Sequence, residues 1–117
     1  LRGQSVVATK ATIGRIVDRI HADRPEARVV LMQMEAPTNM GRAYTSAFHA
    51  MYGAVAREKG VTLLPFLLDG VAGHPSLNQQ DGVHPNYVGE PIVTANVWAG
   101  LEPLLRAPSG AALPPDR

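Results

Sequence analysis

The sequence predicts an α/β fold with a parallel sheet, and three observations carry that expectation. Two near-continuous apolar runs of strand length, Ala27 to Met34 and Val61 to Leu68, lack the alternation of a half-solvated strand and suit strands covered on both faces. Between them lies the clearest helical periodicity in the chain. At 117 residues, with 45% apolar and 18% charged composition, the chain has room for one domain.

Taken in order, Ile13, Ile16, Val17 and Ile20 fall at helical spacing between Thr9 and Ala22, with Lys10, Arg15, Asp18 and Arg19 largely opposite. This predicts an amphipathic helix that stops near Pro25. The first strand follows, and Pro37, Asn39 and Gly41 predict a loop from Ala36 to Gly41 at its carboxyl end. Tyr44, Ala47, Phe48, Met51, Tyr52, Val55 and Ala56 then mark a helix that ends at Gly60, after Arg57 and Lys59 in its last turn. The second strand carries Pro65, which predicts an edge position or an early end. Strand, helix and strand together form a βαβ unit with the usual right-handed crossover. From Asp69 to Pro85 no periodicity survives, and this long loop follows a strand's carboxyl end, where open α/β sheets place their sites. Val93, Val97, Leu101, Leu104 and Leu105 mark a last helix that starts between Asn86 and Pro91, the later start being favoured because Pro fits the first turn. Two parallel strands with three helices leave a sheet short of neighbours, so part of the fold is expected to lie outside the sequence.

Composition narrows the function. Eleven basic and ten acidic residues are scattered without runs, giving neither a nucleic-acid track nor a polybasic patch. With no cysteine there is no disulfide framework or thiolate metal site, and no apolar run reaches the ~20 residues of a membrane span. Leu1 in place of Met, with no basic-then-apolar leader after it, predicts a sequence that begins within a longer one. The Pro, Ala and Gly content of residues 107–117 predicts a disordered tail after a domain over residues 1–106. His74, Asp81 and His84 offer nitrogen and oxygen ligands, but their spacing fits no zinc motif, so neither a metal nor a cofactor is expected. Ser5, Ser46, Ser76 and Ser109 read as solvated hydroxyls, none on a strand-to-helix turn of the kind that exposes a nucleophile.

The chemistry concentrates in Asp81-Gly82-Val83-His84-Pro85-Asn86. A carboxylate three residues ahead of a histidine can fix the ring's tautomer and orient it for proton transfer. The same residues also suit a plain turn, with Asp81 capping Gly82 and His84 solvated.

This block, preceded by Gln80, resembles the last signature block of the SGNH (GDSL-type) serine hydrolases. Leu1-Arg2-Gly3, Leu31-Met32-Gln33-Met34 with Pro37, Asn39, Gly41 and Tyr44, and Leu63-Leu64-Pro65-Phe66 add further likeness in the same order, nearest the arylesterase, acyl-CoA thioesterase and lysophospholipase branch. The resemblance implies a flavodoxin-like three-layer α/β/α fold, of which this sequence holds the C-terminal part. It also implies an enzyme for acyl esters or thioesters, with His84 as general base and Asp81 as its orienter, no cofactor, and a periplasmic or secreted parent. Met34, Glu35, Ala36, Pro37 and Asn39 would border the substrate, with Glu35 most simply a solvated loop carboxylate. The Gly-Asp-Ser and Gly-x-Asn-Asp segments of the family, which supply the nucleophile and the oxyanion donors, have no counterpart here, so the chain alone is expected to be inactive. Two other readings stay open: a standalone non-catalytic α/β interaction protein, and a half-enzyme whose missing N-terminal half is supplied in trans.

Overall fold

Ser5 opens the first helix, its hydroxyl accepting the Ala8 N–H at 3.3 Å and so satisfying one of the free donors of the first turn. The computed structural model describes residues 5–106, so the tail expected over 107–117 and the Leu1-Arg2-Gly3 likeness lie outside the described residues. These residues form two compact units, 5–64 and 65–106.

In the first unit, α1 (Val6–Asp23) ends at Arg24, just before Pro25, as its sequence predicts. Its buried positions are Gly14 and Val17, whereas Ile16 stays exposed. The inward face is therefore rotated from the expected one, toward Gly14. Gly14 is also a point of close approach: a Cβ there would stand 3.1 Å from the Lys59 Cε. Lys59 continues to Asp18 at 2.9 Å, and Lys10 reaches Glu58 at 2.7 Å, so α1 meets the next helix along a seam of glycine and lysine stems.

That next helix, α2 (Arg42–Lys59), follows a short 3-10 turn at Thr38–Met40 and stops at Gly60, whose φ of 67° is left-handed. It buries Phe48, Met51, Tyr52, Val55 and Ala56, five of the seven residues that define its periodicity. Phe48 meets Tyr52 edge to face at 5.4 Å, and Ala36 closes the cluster, with Ile13, Leu31, Met34 and Leu63 packed around it.

Two parallel strands, β1 (Val30–Met32) and β2 (Thr62–Leu64), pair Val30 with Thr62, Leu31 with Leu63 and Met32 with Leu64. One further bond runs from the Gln33 N–H to the Leu64 carbonyl at 3.0 Å. Both strands are shorter than the eight-residue runs that predict them. A ladder extends only as far as its partner does, and Pro65 has no N–H to continue it. The Thr62 hydroxyl is buried without a partner among the described residues, a cost of about 1–3 kcal/mol for a group of this kind.

In the second unit Phe66, Leu67 and Leu68 belong to turns rather than to the expected strand, with the Val71 and Ala72 N–H groups donating to the Leu68 carbonyl. A 3-10 turn at Pro75–Leu77 leads into an isolated antiparallel bridge between Asn78 and Pro85. The last helix, α3 (Glu90–Arg106), starts at the later end of the expected window with Pro91 in its first turn, and it accommodates Pro103 near its end. Val71 and Leu104 are buried in this unit, and Asn96 ties α3 to the preceding turns by donating to the carbonyls of Leu67 and Asp69 at 3.0 and 2.8 Å.

Candidate active site

Residues 78–86 form a loop closed at its base and pinned at each end by an asparagine. The Gln79 N–H donates to the His84 carbonyl at 2.7 Å, and the Gly82 N–H donates back to the Gln79 carbonyl at 2.9 Å. Gly82 stands at φ 70°, a conformation that costs a side chain strain and glycine none. Asn78 is buried and donates to the Val71 and His74 carbonyls at 2.8 and 2.9 Å. Asn86 uses its whole amide: Nδ2 donates to the Ser76 and Asn78 carbonyls, while Oδ1 accepts the N–H groups of Val88 and Gly89. At Gly89 the backbone passes so close that a Cβ would collide with the Leu77 carbonyl. Asn78 lies within the long loop that the sequence predicts and Asn86 closes the Asp81-to-Asn86 block, but neither anchoring role shows in the sequence, for which Asx-turn chemistry is the available signal.

On this frame Asp81 and His84 are brought together. The Nδ1 of His84 lies 2.6 Å from Asp81 Oδ2, and Asp81 Oδ1 accepts the N–H groups of Val83 and His84 at 2.9 and 3.0 Å. The turn-capping role and the ring-orienting role are thus served by the two oxygens of one carboxylate. The hydrogen bond from the His84 ring, followed by the two backbone N–H bonds, holds the Asp81 carboxyl down to about 2 from its ordinary 3.8. An ionised Asp81 fixes the proton on Nδ1 and leaves Nε2 as the basic nitrogen, which makes no hydrogen bond among the described residues. The side chains are 70% exposed at His84 and 45% at Asp81, so solvent screens the ion pair, and the geometry comes from the turn rather than from Coulomb attraction.

Among the described residues no three histidine, aspartate or glutamate side chains gather as a metal site, so His74 does not join Asp81 and His84. No described helix is long and apolar enough to cross a membrane. The residues expected at the substrate side belong to the first unit. There Ala36 is buried in the core, Met34 packs against it, and Pro37 and Asn39 are exposed at the turn that precedes α2. Glu35 differs from its simplest expectation as a solvated carboxylate, because it is two-thirds buried and meets His49 Nδ1 at 2.7 Å. His49 is an exposed position on α2, and no local spacing in the sequence announces a partner fourteen residues away. Of the serines, Ser5 caps α1, Ser46 is exposed on α2 and Ser76 lies in the 3-10 turn, while Ser109 falls outside the described residues.

Residues 1–90 match the model of the GDSL-like Lipase/Acylhydrolase family. Esterase TesA of Pseudomonas aeruginosa is 36% identical over 105 residues, covering 90% of this chain and 51% of its own length. Thioesterase 1/protease 1/lysophospholipase L1 of Escherichia coli is 37% identical over 105 residues, with 90% and 50% covered. A crystal structure of TesA superposes with a TM-score of 0.80 at 35% identity, over 88% of this chain and 56% of that one. The chain thus spans about half the length of the curated relatives it matches. Over that span both the order of the elements and the sequence agree, and the chain belongs to the GDSL-like lipase/acylhydrolase family.

Proposed function

We propose that this chain carries the base and its orienter for a serine ester hydrolase acting on acyl esters or thioesters, with the nucleophile supplied by a segment outside these 117 residues. The observation that carries the reading is the Asp81 carboxylate on His84 Nδ1 at 2.6 Å, with its second oxygen held by two backbone N–H groups. In the forward step His84 Nε2 takes the proton of a serine hydroxyl as that oxygen bonds to the substrate carbonyl carbon. The protonated ring then gives the proton to the departing alcohol or thiol, and a water molecule repeats the sequence to free the acid. Asp81 stays ionised throughout and stabilises the charged ring. Met34, Glu35, Ala36, Pro37 and Asn39 serve the acyl side of the substrate in this reading. The names of the relatives, an esterase and a thioesterase and lysophospholipase, support both leaving-group classes.

None of the described serines sits beside a base on a strand-to-helix turn, and the loss of even one oxyanion donor commonly costs ~10²- to 10³-fold in rate. The chain alone should therefore show no turnover of a p-nitrophenyl ester above buffer. Mixing it with the half of the Pseudomonas aeruginosa esterase that it does not match should restore hydrolysis, and His84→Ala in this chain should remove it. Hydrolysis by the isolated chain, or by a mixture containing His84→Ala, would overturn the proposal.

A further inference from the structure

One row of α3 packs within its own unit and the next row does not. Ile92, Asn96 and Leu104 lie on the packed row: Asn96 donates to the Leu67 and Asp69 carbonyls, the Ile92 Cγ2 stands 3.8 Å from where a Cβ at Gly70 would lie, and Leu104 is buried. Val93, Val97, Leu101 and Leu105 form the neighbouring row, with Thr94 and Trp98 beside it. Val93, Val97 and Leu101 are only partly buried, and Trp98 is 51% exposed. Glu90, Val93, Thr94, Val97 and Trp98 line an open recess of about 300 Å³ on this face. From Pro91 to Leu101 the helix carries no charged residue, although a helix side that faces water is ordinarily charged. Single exposed apolar side chains are common, but a continuous row along most of a helix marks a contact surface. The same helix is fastened to the loop that holds His84. Asn86 Oδ1 accepts the N–H groups of Val88 and Gly89, and the Asn86 carbonyl accepts the Glu90 N–H at 2.9 Å. Whatever seats on the Val93-to-Trp98 face is therefore held at a set place relative to His84.

We propose that this face of α3 is the docking surface for the segment that brings the nucleophile, the counterpart of the half of its relatives that the chain does not match. This rests on the reading above that the nucleophile comes from outside these 117 residues. The size of the occupant fits, because the match covers 51% of the Pseudomonas aeruginosa esterase and leaves a polypeptide of similar length to cover the row. Its place fits as well. Docking on α3 joins the incoming segment to the unit that carries Asp81 and His84, so one helix both recruits the hydroxyl and fixes its approach to Nε2. A second copy of this chain would cover the same apolar row but bring another base and no nucleophile.

Trp98 is the one tryptophan of the chain and so reports on its own face. The 117-residue chain, labelled with 5-fluorotryptophan, is mixed with the half of the Pseudomonas aeruginosa esterase that it does not match, and the fluorine resonance is compared in H2O and D2O. Docking should remove most of the solvent isotope shift of that resonance. Measured by titration calorimetry, Trp98→Ala and Thr94→Arg, both at exposed positions, should weaken the association about 10- to 100-fold, whereas Ala99→Lys, exposed but off the row, should leave it unchanged. The His84 resonances of each free variant should keep their positions, which shows that the unit is folded. No association, a Trp98 resonance still open to solvent in the complex, or equal affinity in all three variants overturns the docking surface. Sedimentation of the chain alone gives one more outcome: a dimer that already protects Trp98 makes a second copy the occupant and overturns the proposal. The proposed function fails separately. Association with Trp98 protected but no p-nitrophenyl ester hydrolysis supports the docking surface and overturns the function, and hydrolysis with Trp98 still exposed does the reverse.

Discussion

The two carboxylate–histidine pairs of this chain have nearly equal lengths and opposite origins. Asp81 and His84 are three residues apart, and every bond that shapes them lies within residues 78–86 or the asparagine anchors at its ends. Glu35 and His49 are fourteen residues apart and meet only because α2 packs against β1 through Phe48, Met51 and Tyr52. Both are solvated enough that charge attraction alone contributes little. The difference lies in the backbone: Asp81 accepts two N–H groups besides its bond to the His84 ring, whereas no backbone N–H donates to Glu35 among the described residues. A turn can set a catalytic ring without a core. A tertiary pair cannot outlast the core that builds it.

Four perturbations separate the pairs. Largest is Asp81→Asn, which leaves His84 in place but upsets its tautomer, and hydrolysis in the complemented mixture should fall by about 10⁴-fold. A similar fall from Glu35→Gln would erase the functional contrast between the pairs. Next, Phe48→Ala empties a site only 1% exposed and should cost about 3–5 kcal/mol in denaturant unfolding of the first unit. Under conditions where that unit is loosened, the Val83 and His84 amide resonances should keep their native shifts while those around His49 collapse. The converse substitution is Gly89→Ala, which drives a methyl into the Leu77 carbonyl and should cost about 1–3 kcal/mol, shifting the Asn86 and His84 resonances and sparing Gln33 and His49. Smallest is the response to acid. Because the folded Asp81 carboxyl titrates below its ordinary 3.8, its stabilising contribution is complete above that value and disappears as pH falls toward 2. Resonances of Val83 and His84 should therefore move over this acid range, and movement centred well above pH 4 would show that the two N–H bonds do not hold the carboxylate.

What the sequence made legible follows the same division. The period of Tyr44 to Ala56 locates α2 because core burial repeats with the helix, and five of those seven residues are buried. The Asp81-to-His84 spacing announces its contact because a turn brings residues three apart together. The strands are shorter than the apolar runs that predict them, since apolar content marks what can be buried but hydrogen-bonded length depends on a partner and on Pro65. Ile16 carries the right residue type and spacing and is still exposed, because the packed face of α1 runs through Ile13, Gly14 and Val17 and one apolar position falls at its margin. Glu35 with His49 was invisible for a related reason: neither periodicity nor turn chemistry specifies a meeting between a strand end and a helix face.

The turn at Gly82 also bears on how the protein ages. An Asp-Gly sequence is a common place for a polypeptide to isomerise: the glycine amide nitrogen attacks the protonated aspartate carboxyl, water leaves to give a cyclic imide, and hydrolysis reopens the ring on either side. Here the Gly82 N–H is committed to the Gln79 carbonyl, and the Asp81 carboxyl is ionised and tied to three donors. Both reacting groups are occupied and the proton the reaction needs is withheld, so the fold that orients the histidine also protects its partner from slow chemical decay.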